Sequence, residues 1–144
     1  MKNQEEEPKE YFERNIPLVI IVAVSGVLLD WISVSLLIDV SPWGTATAVP
    51  GLILTLQGLW LIVNPYAIVY KDRFEIKQTL MYNKEFYYLD AKAIDVKKTH
   101  SIQLIYNDGD LERLPLIGMR ASHKQKFKDR LTEKLNESVK HRDF

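Results

Sequence analysis

The chain has no cysteine in 144 residues, which removes disulfides, thiol nucleophiles and thiolate metal ligands. Histidine is scarce. His100, His123 and His141 are the only three, and none has a neighbour at metal-ligand spacing. They read as surface side chains, and no metal is expected. Glycine-rich phosphate loops, a Gly-x-Ser-x-Gly elbow and a His-Glu-x-x-His pair are all missing. Serines and carboxylates are scattered, so nothing supports an enzyme or a cofactor. Most telling, no lysine or arginine occurs between Arg14 and Lys71.

What fills that gap is apolar. Ile16 to Ile38 is a run of 23 residues, IPLVIIVAVSGVLLDWISVSLLI. A helix needs about 20 such residues to cross a bilayer. Pro17 suits a first helical turn, where its missing N–H costs nothing. A cleaved signal peptide fits less well, because the segment is long, begins late and lacks a basic leader. A second apolar run, from about Thr45 to Val63, ends at Asn64-Pro65. Pro50 interrupts it, so the helix is expected either to enter ahead of Pro50 or to continue past Pro65. Trp43 at one end and Tyr66 and Tyr70 at the other fit interfacial aromatic belts. The intervening turn has no basic residue, whereas Lys2, Lys9 and Arg14 precede the pair and Lys71, Arg73 and Lys77 follow it. The positive-inside rule then places both termini in the cytoplasm.

Beyond Tyr70 the pattern alternates. Arg73-Phe-Glu-Ile-Lys77 reads as a half-buried strand, as do Glu85 to Leu89 and Ala93 to Lys97. Ser101–Tyr106 and Leu111–Leu116 flank an Asp-Gly turn, a strong hairpin signal. Four to six antiparallel strands are expected. Tyr82, Tyr87, Tyr88 and Tyr106 read as sheet packing. A helix from about Ser122 to Val139, with Ser122 as N-cap, carries Phe127, Leu131, Leu135 and Val139 in one stripe that must bury against the sheet.

Four stretches carry a resemblance: AIVYKDRFEIKQ (Ala67–Gln78), FYYLDAKAIDVKK (Phe86–Lys98), LIYNDGDLERLPL (Leu104–Leu116) and the closing helix. Tyr66 to Leu135 resembles the pleckstrin-homology-like (PH-like) domains of small membrane-anchored bacterial proteins. The resemblance implies a small, partly open antiparallel β-barrel capped by Phe127, Leu131 and Leu135. It implies no particular ligand. The chain is short for seven strands and a helix, so one or two strands are expected to be missing or supplied around Tyr66. The full expectation is an α+β membrane protein. It has a flexible polar tail (1–15), a transmembrane helical hairpin (16–65, spans about 16–38 and 45–65) and a cytoplasmic PH-like domain (66–140).

Two features invite function. Asp30 falls inside the first span, where a lone carboxylate costs about 3 kcal/mol on insertion scales. With the turn centred near Trp43, it lies level with Leu56, next to Thr55 and Gln57. A hydrogen bond to Gln57, within the hairpin or across a homo-oligomer interface, satisfies both groups. Ser25-Gly26 and Gly58 offer small surfaces for close helix approach. The second feature is charge. Lys+Arg and Asp+Glu both total 19, but the C-terminal helix is basic. Lys124, Lys126, Lys128, Arg130 and Lys134 are a candidate surface for anionic lipid or a partner. Against that, Lys126–Asp129 and Arg130–Glu133 stand at helix ion-pair spacing.

The expected role is a non-catalytic scaffold in the bacterial inner membrane, presenting the cytoplasmic domain to protein partners; nothing points to nucleic acid. The alternatives are a subunit of a transport or ion-handling complex using Asp30 and Gln57, and an anionic-lipid sensor using the basic helix.

Overall fold

The computed structural model describes residues 9–140. It has seven strands and three helices in the order β1 (Glu10–Phe12), α1 (Ile16–Ile38), α2 (Trp43–Val63), β2 (Ala67–Val69), β3 (Arg73–Lys77), β4 (Asn83–Tyr87), β5 (Ala91–Asp95), β6 (Ser101–Tyr106), β7 (Leu111–Pro115) and α3 (Ala121–Lys140). The strands form two antiparallel sheets, β1-β2-β3-β4 and β5-β6-β7, and no closed barrel.

The expected tail is the first correction. Residues 1–8 lie outside the described residues, but Glu10–Phe12 is a strand paired to β2, with Phe12 opposite Ala67. Phe12 is 1% exposed and packs edge-on to Phe127 at 4.9 Å. One buried aromatic anchors a strand too short to show a period. The segment continues as a seam: Arg14 bridges Met119, Asn15 N–H donates to Gly118 O at 2.8 Å, and Arg120 N–H donates to Glu13 O at 2.9 Å. Residues 10–15 therefore join the first sheet to the chain that follows the second.

The helical hairpin thus sits between β1 and β2, inside one sheet. Helix α1 takes Pro17 in its first turn. Helix α2 begins at Trp43, ahead of Pro50, and runs through it to Val63. Between them, Ser41 N–H donates to Leu36 O and Val40 N–H to Leu37 O. That pairing is a Schellman closure, which normally puts glycine in the left-handed position. Here Val40 occupies it, at φ 55°.

In β3, Phe74 and Ile76 are buried and their neighbours half-buried, the alternation its sequence shows. Phe74 stacks on Phe86 of β4 at 4.9 Å. β4 and β5 each begin two residues earlier than the sequence pattern implies. β2, every residue buried, is a strand supplied next to Tyr66. Helix α3 starts at Ala121, so Ser122 falls inside its first turn. Phe127, Leu131 and Leu135 seal the domain core, while Val139 is exposed. Tyr88 is buried in that core, Tyr106 packs partly against it, and Tyr82 and Tyr87 are exposed.

Candidate functional site

The seam of the hairpin is built from small residues at heptad spacing. On α2, Gly44, Gly51 and Gly58 are buried; on α1, Val19, Gly26 and Ser33 are. Leu37 faces Gly44, Asp30 faces Gly51 and Ala23 faces Gly58. A strict seven-residue repeat keeps one face of each helix on its neighbour. The approach is close enough that a methyl at Gly58 would lie 2.8 Å from Ala23 Cα, and one at Gly26 would lie 2.5 Å from Thr55 N. Ser33 Oγ donates to Thr47 Oγ1 across the seam at 2.8 Å.

Asp30 lies in this seam. Thr55 Oγ1 donates to its Oδ2 at 2.7 Å, and its Oδ1 fills the notch left by Gly51. Asp30 is level with Gly51 and not with Leu56, because the turn is centred at Val40 and Ser41 and α2 starts at once. Gln57 is not brought to Asp30. Two residues along a helix rotate by about 200°, so Thr55 and Gln57 cannot face the same neighbour. Gln57 Oε1 instead accepts the Leu80 backbone N–H at 2.9 Å. This bond ties the β3–β4 loop to α2, well above the helix's end at Val63. The loop carries Leu80, Met81 and Tyr82, of which Met81 is 92% exposed.

The basic surface of α3 is largely engaged. Lys126 pairs with Glu10 at 2.6 Å, and Arg130 with Glu10 at 3.0 Å and Glu133 at 2.6 Å. Lys134 pairs with Glu137 at 2.9 Å. Lys128 is buried and donates to Lys98 O at 2.6 Å. Lys124 Nζ lies 3.4 Å from His100 Nδ1. The expected partner of Lys126, Asp129, is taken by the Gln125 amide at 2.8 Å, while β1 supplies Glu10 from far along the chain. Hydrogen bonding from Lys126 and the Lys126 and Arg130 charges hold the Glu10 carboxyl below its ordinary value against the opposing effect of burial.

Sequence reasoning missed the junction between hairpin and sheets. Arg14 reads there only as a flanking charge, yet it is 7% exposed. Its Nε donates to Asn64 O at 2.8 Å and its Nη2 to Lys77 O. Its guanidinium also lies over the Trp60 ring at 5.0 Å and the Tyr66 ring at 5.6 Å. Burial lowers Arg14 to about 10, partly offset by Tyr66, so it stays charged at neutral pH. Burial raises the Tyr66 phenol to about 12, and it donates to Pro115 O at 2.5 Å. One side chain therefore pins the end of α2, β3 and the start of α1 together.

A second polar clasp links the sheets where no ladder does. Lys84 of β4 pairs with Glu112 of β7, and Tyr106 of β6 donates to the same carboxylate at 2.8 Å. Burial alone raises the Glu112 carboxyl, but bonds from Lys84 and Tyr106 outweigh it and leave it lowered.

For chemistry, no group of three His, Cys, Asp or Glu side chains gathers to hold a metal among the described residues. His123 Nδ1 accepts the Glu13 backbone N–H at 3.0 Å, a structural bond; His100 is exposed, and His141 lies outside the described residues. No protein-family model, curated protein or solved structure matches this chain.

Proposed function

We propose that this chain is a membrane-anchored, non-enzymatic scaffold in which a two-span hairpin holds a PH-like domain in a fixed pose on the cytoplasmic face of a bacterial inner membrane. One observation carries the reading: β1 precedes the hairpin and β2 follows it in a single sheet, so both ends of the anchor enter the same domain. Arg14 and the Gln57–Leu80 bond stiffen that joint. An anchor held so firmly serves a domain whose orientation matters, as in presentation to another protein.

The membrane part of the reading rests on the outer faces of α1 and α2. Both helices are long and apolar enough to span, and only 17% of each apolar window is buried. Trp31, Ile38 and Val63 are each at least 75% exposed. In water, faces of this size are a liability; in lipid they are the solvated surface. The four-plus-three strands with a sealing C-terminal helix support the PH-like assignment.

The other two roles have less behind them. Asp30 is satisfied inside the hairpin by Thr55, and Gln57 is committed to the β3–β4 loop, so no pair of groups lines a path. Three of the five α3 cations, Lys126, Arg130 and Lys134, pair with carboxylates within the chain, and Lys128 is buried on a backbone carbonyl.

A partner surface is offered by Leu89, on the β4–β5 turn, and Leu111, at the start of β7, both more than 60% exposed; the Asn107 side chain bonds Leu89 O at 2.8 Å and joins the two turns. The test has two arms. Alkaline carbonate extraction should leave the chain with membranes; release into the supernatant rejects the anchor. A photo-crosslinking residue at Leu89 or Leu111 in native membranes should give one discrete protein adduct, and no adduct from either site rejects the scaffold.

A further inference from the structure

We propose that the groove between the domain-proximal ends of α1 and α2 holds one anionic phospholipid, its phosphate at Arg14 and Arg120 and its acyl chains along the helices. The groove has a volume of about 720 Å³ and is walled by Ile20 and Val24 of α1 and Leu61 and Ile62 of α2. That is within the range of about 300–1,000 Å³ typical of small-molecule sites. Its mouth is polar and formed by Glu13, Arg14 and Arg120.

The charges at the mouth do not balance. Arg14 is more than nine-tenths buried, and among the described residues its bonds go to two backbone carbonyls and none to a carboxylate. Its Nη1 carries no hydrogen bond among the described residues. Arg120 pairs with Glu13 at 2.5 Å and is 51% exposed. The mouth therefore carries two guanidiniums and one carboxylate among the described residues, and that carboxylate pairs with Arg120 alone. A buried charge without a counter-charge is costly, and a guanidinium fork matches phosphate oxygens. The ligand that supplies both a phosphate and apolar length is a phospholipid. Its source is fixed by continuity, since the walls are the same outer helix faces that the anchor reading places in the bilayer. The inference rests on that reading.

The test is native mass spectrometry of the full chain in mild detergent, titrated with phosphatidylglycerol and phosphatidylcholine of matched chains. The wild type should retain a single phosphatidylglycerol about fivefold better than phosphatidylcholine, the effect of one basic group near a headgroup. Arg120→Gln should bring the two lipids close to parity. Glu13→Gln, which frees Arg120, should raise phosphatidylglycerol retention. Val24→Trp fills the groove without touching charge and should abolish the adduct, with circular dichroism confirming that the variant is folded. Equal retention of the two lipids by the wild type overturns the site, as does an adduct indifferent to Val24→Trp or one displaced by inorganic phosphate alone. Carbonate extraction separates the two failures. A chain that stays with membranes but shows no lipid preference overturns the groove only; a released chain overturns the anchor, and the groove with it.

Discussion

The hairpin and the sheet domain are held together by opposite means. The domain core is large side chains: Phe12, Phe74, Phe86, Tyr88 and Phe127 interlock, with ring centroids 4.9–6.1 Å apart among the pairs they form. The hairpin seam is built on small residues, with glycines at every seventh position of α2 and two side-chain hydrogen bonds across it, Thr55 to Asp30 and Ser33 to Thr47. In water, burying apolar area is the driving force, and big residues supply it at about 25 cal/mol per Å². In lipid that force disappears between helices, and close backbone packing replaces it. Under the anchor reading, the two halves of one chain are each built for a different solvent.

The most severe way to break the comparison is Phe127→Glu. Residue 127 is fully buried between Phe12 and Phe74. The charge plus the cavity should cost more than about 4 kcal/mol and unfold the domain. The tyrosine and phenylalanine bands of the near-ultraviolet circular dichroism spectrum should be lost, while the tryptophan bands and the helical far-ultraviolet signal of the hairpin, which holds Trp31, Trp43 and Trp60, persist. Survival of the tyrosine and phenylalanine bands would mean the α3 cap is dispensable.

Gly58→Leu attacks the other half. A branched side chain against Ala23 Cα should cost about 1–3 kcal/mol through overpacking. Because the chain has no native cysteine, spin labels at Ile32 and Val49 are free of background. Their distance distribution should broaden while the thermal midpoint of the domain is unchanged.

Asp30→Leu removes the bond to Thr55 and crowds Gly51, and should cost about 0.6–2 kcal/mol in the same spin-label assay. Asp30→Asn keeps an acceptor for Thr55 and should be milder. If the two variants behave alike, the carboxylate is not held by its hydrogen bond.

Val40→Gly should stabilise the hairpin by about 1 kcal/mol, because the left-handed backbone strains a β-branched residue and suits glycine. The smallest effect is acid sensitivity of the sheet clasp. Glu112 sits below the ordinary value of 4.5. Its folded form binds its proton later than the unfolded form. Its contribution is therefore complete above the unfolded value and is lost as pH falls through the lower, folded one. The pair is partly exposed, so less than about 1 kcal/mol is at stake. Urea midpoints measured from pH 6 to pH 3 should fall less steeply in Glu112→Gln.

The features that could be read without the structure are those with a long or regular signal. Continuous apolarity marks both helices of the hairpin, alternation marks β3, and the Asp-Gly turn marks β6 and β7. β1 leaves no such trace, and β2 is legible only through the resemblance, as a strand supplied around Tyr66. Each is three residues long; β2 is buried throughout and so does not alternate, and β1 stands among acidic residues. The turn was misplaced because its left-handed position holds Val40 and no glycine announces it. That displacement is why Gln57, and not only Thr55, seemed within reach of Asp30. Arg14 was invisible as a structural residue, because what distinguishes it is tertiary: Asn64, Lys77, Trp60 and Tyr66 converge on it from elsewhere in the chain.

The placement of β1 ahead of the hairpin has a consequence for biosynthesis under the anchor reading. The ribosome makes β1 first, but its partner β2 emerges only after both helices. If the hairpin inserts with two passes, the two strands meet on one side and the sheet closes. If only one helix crosses, they are stranded on opposite sides of the bilayer, and Phe12 never reaches Phe127. Under that reading, completion of the sheet depends on both helices crossing, and a chain in which only one crosses is left with an open core.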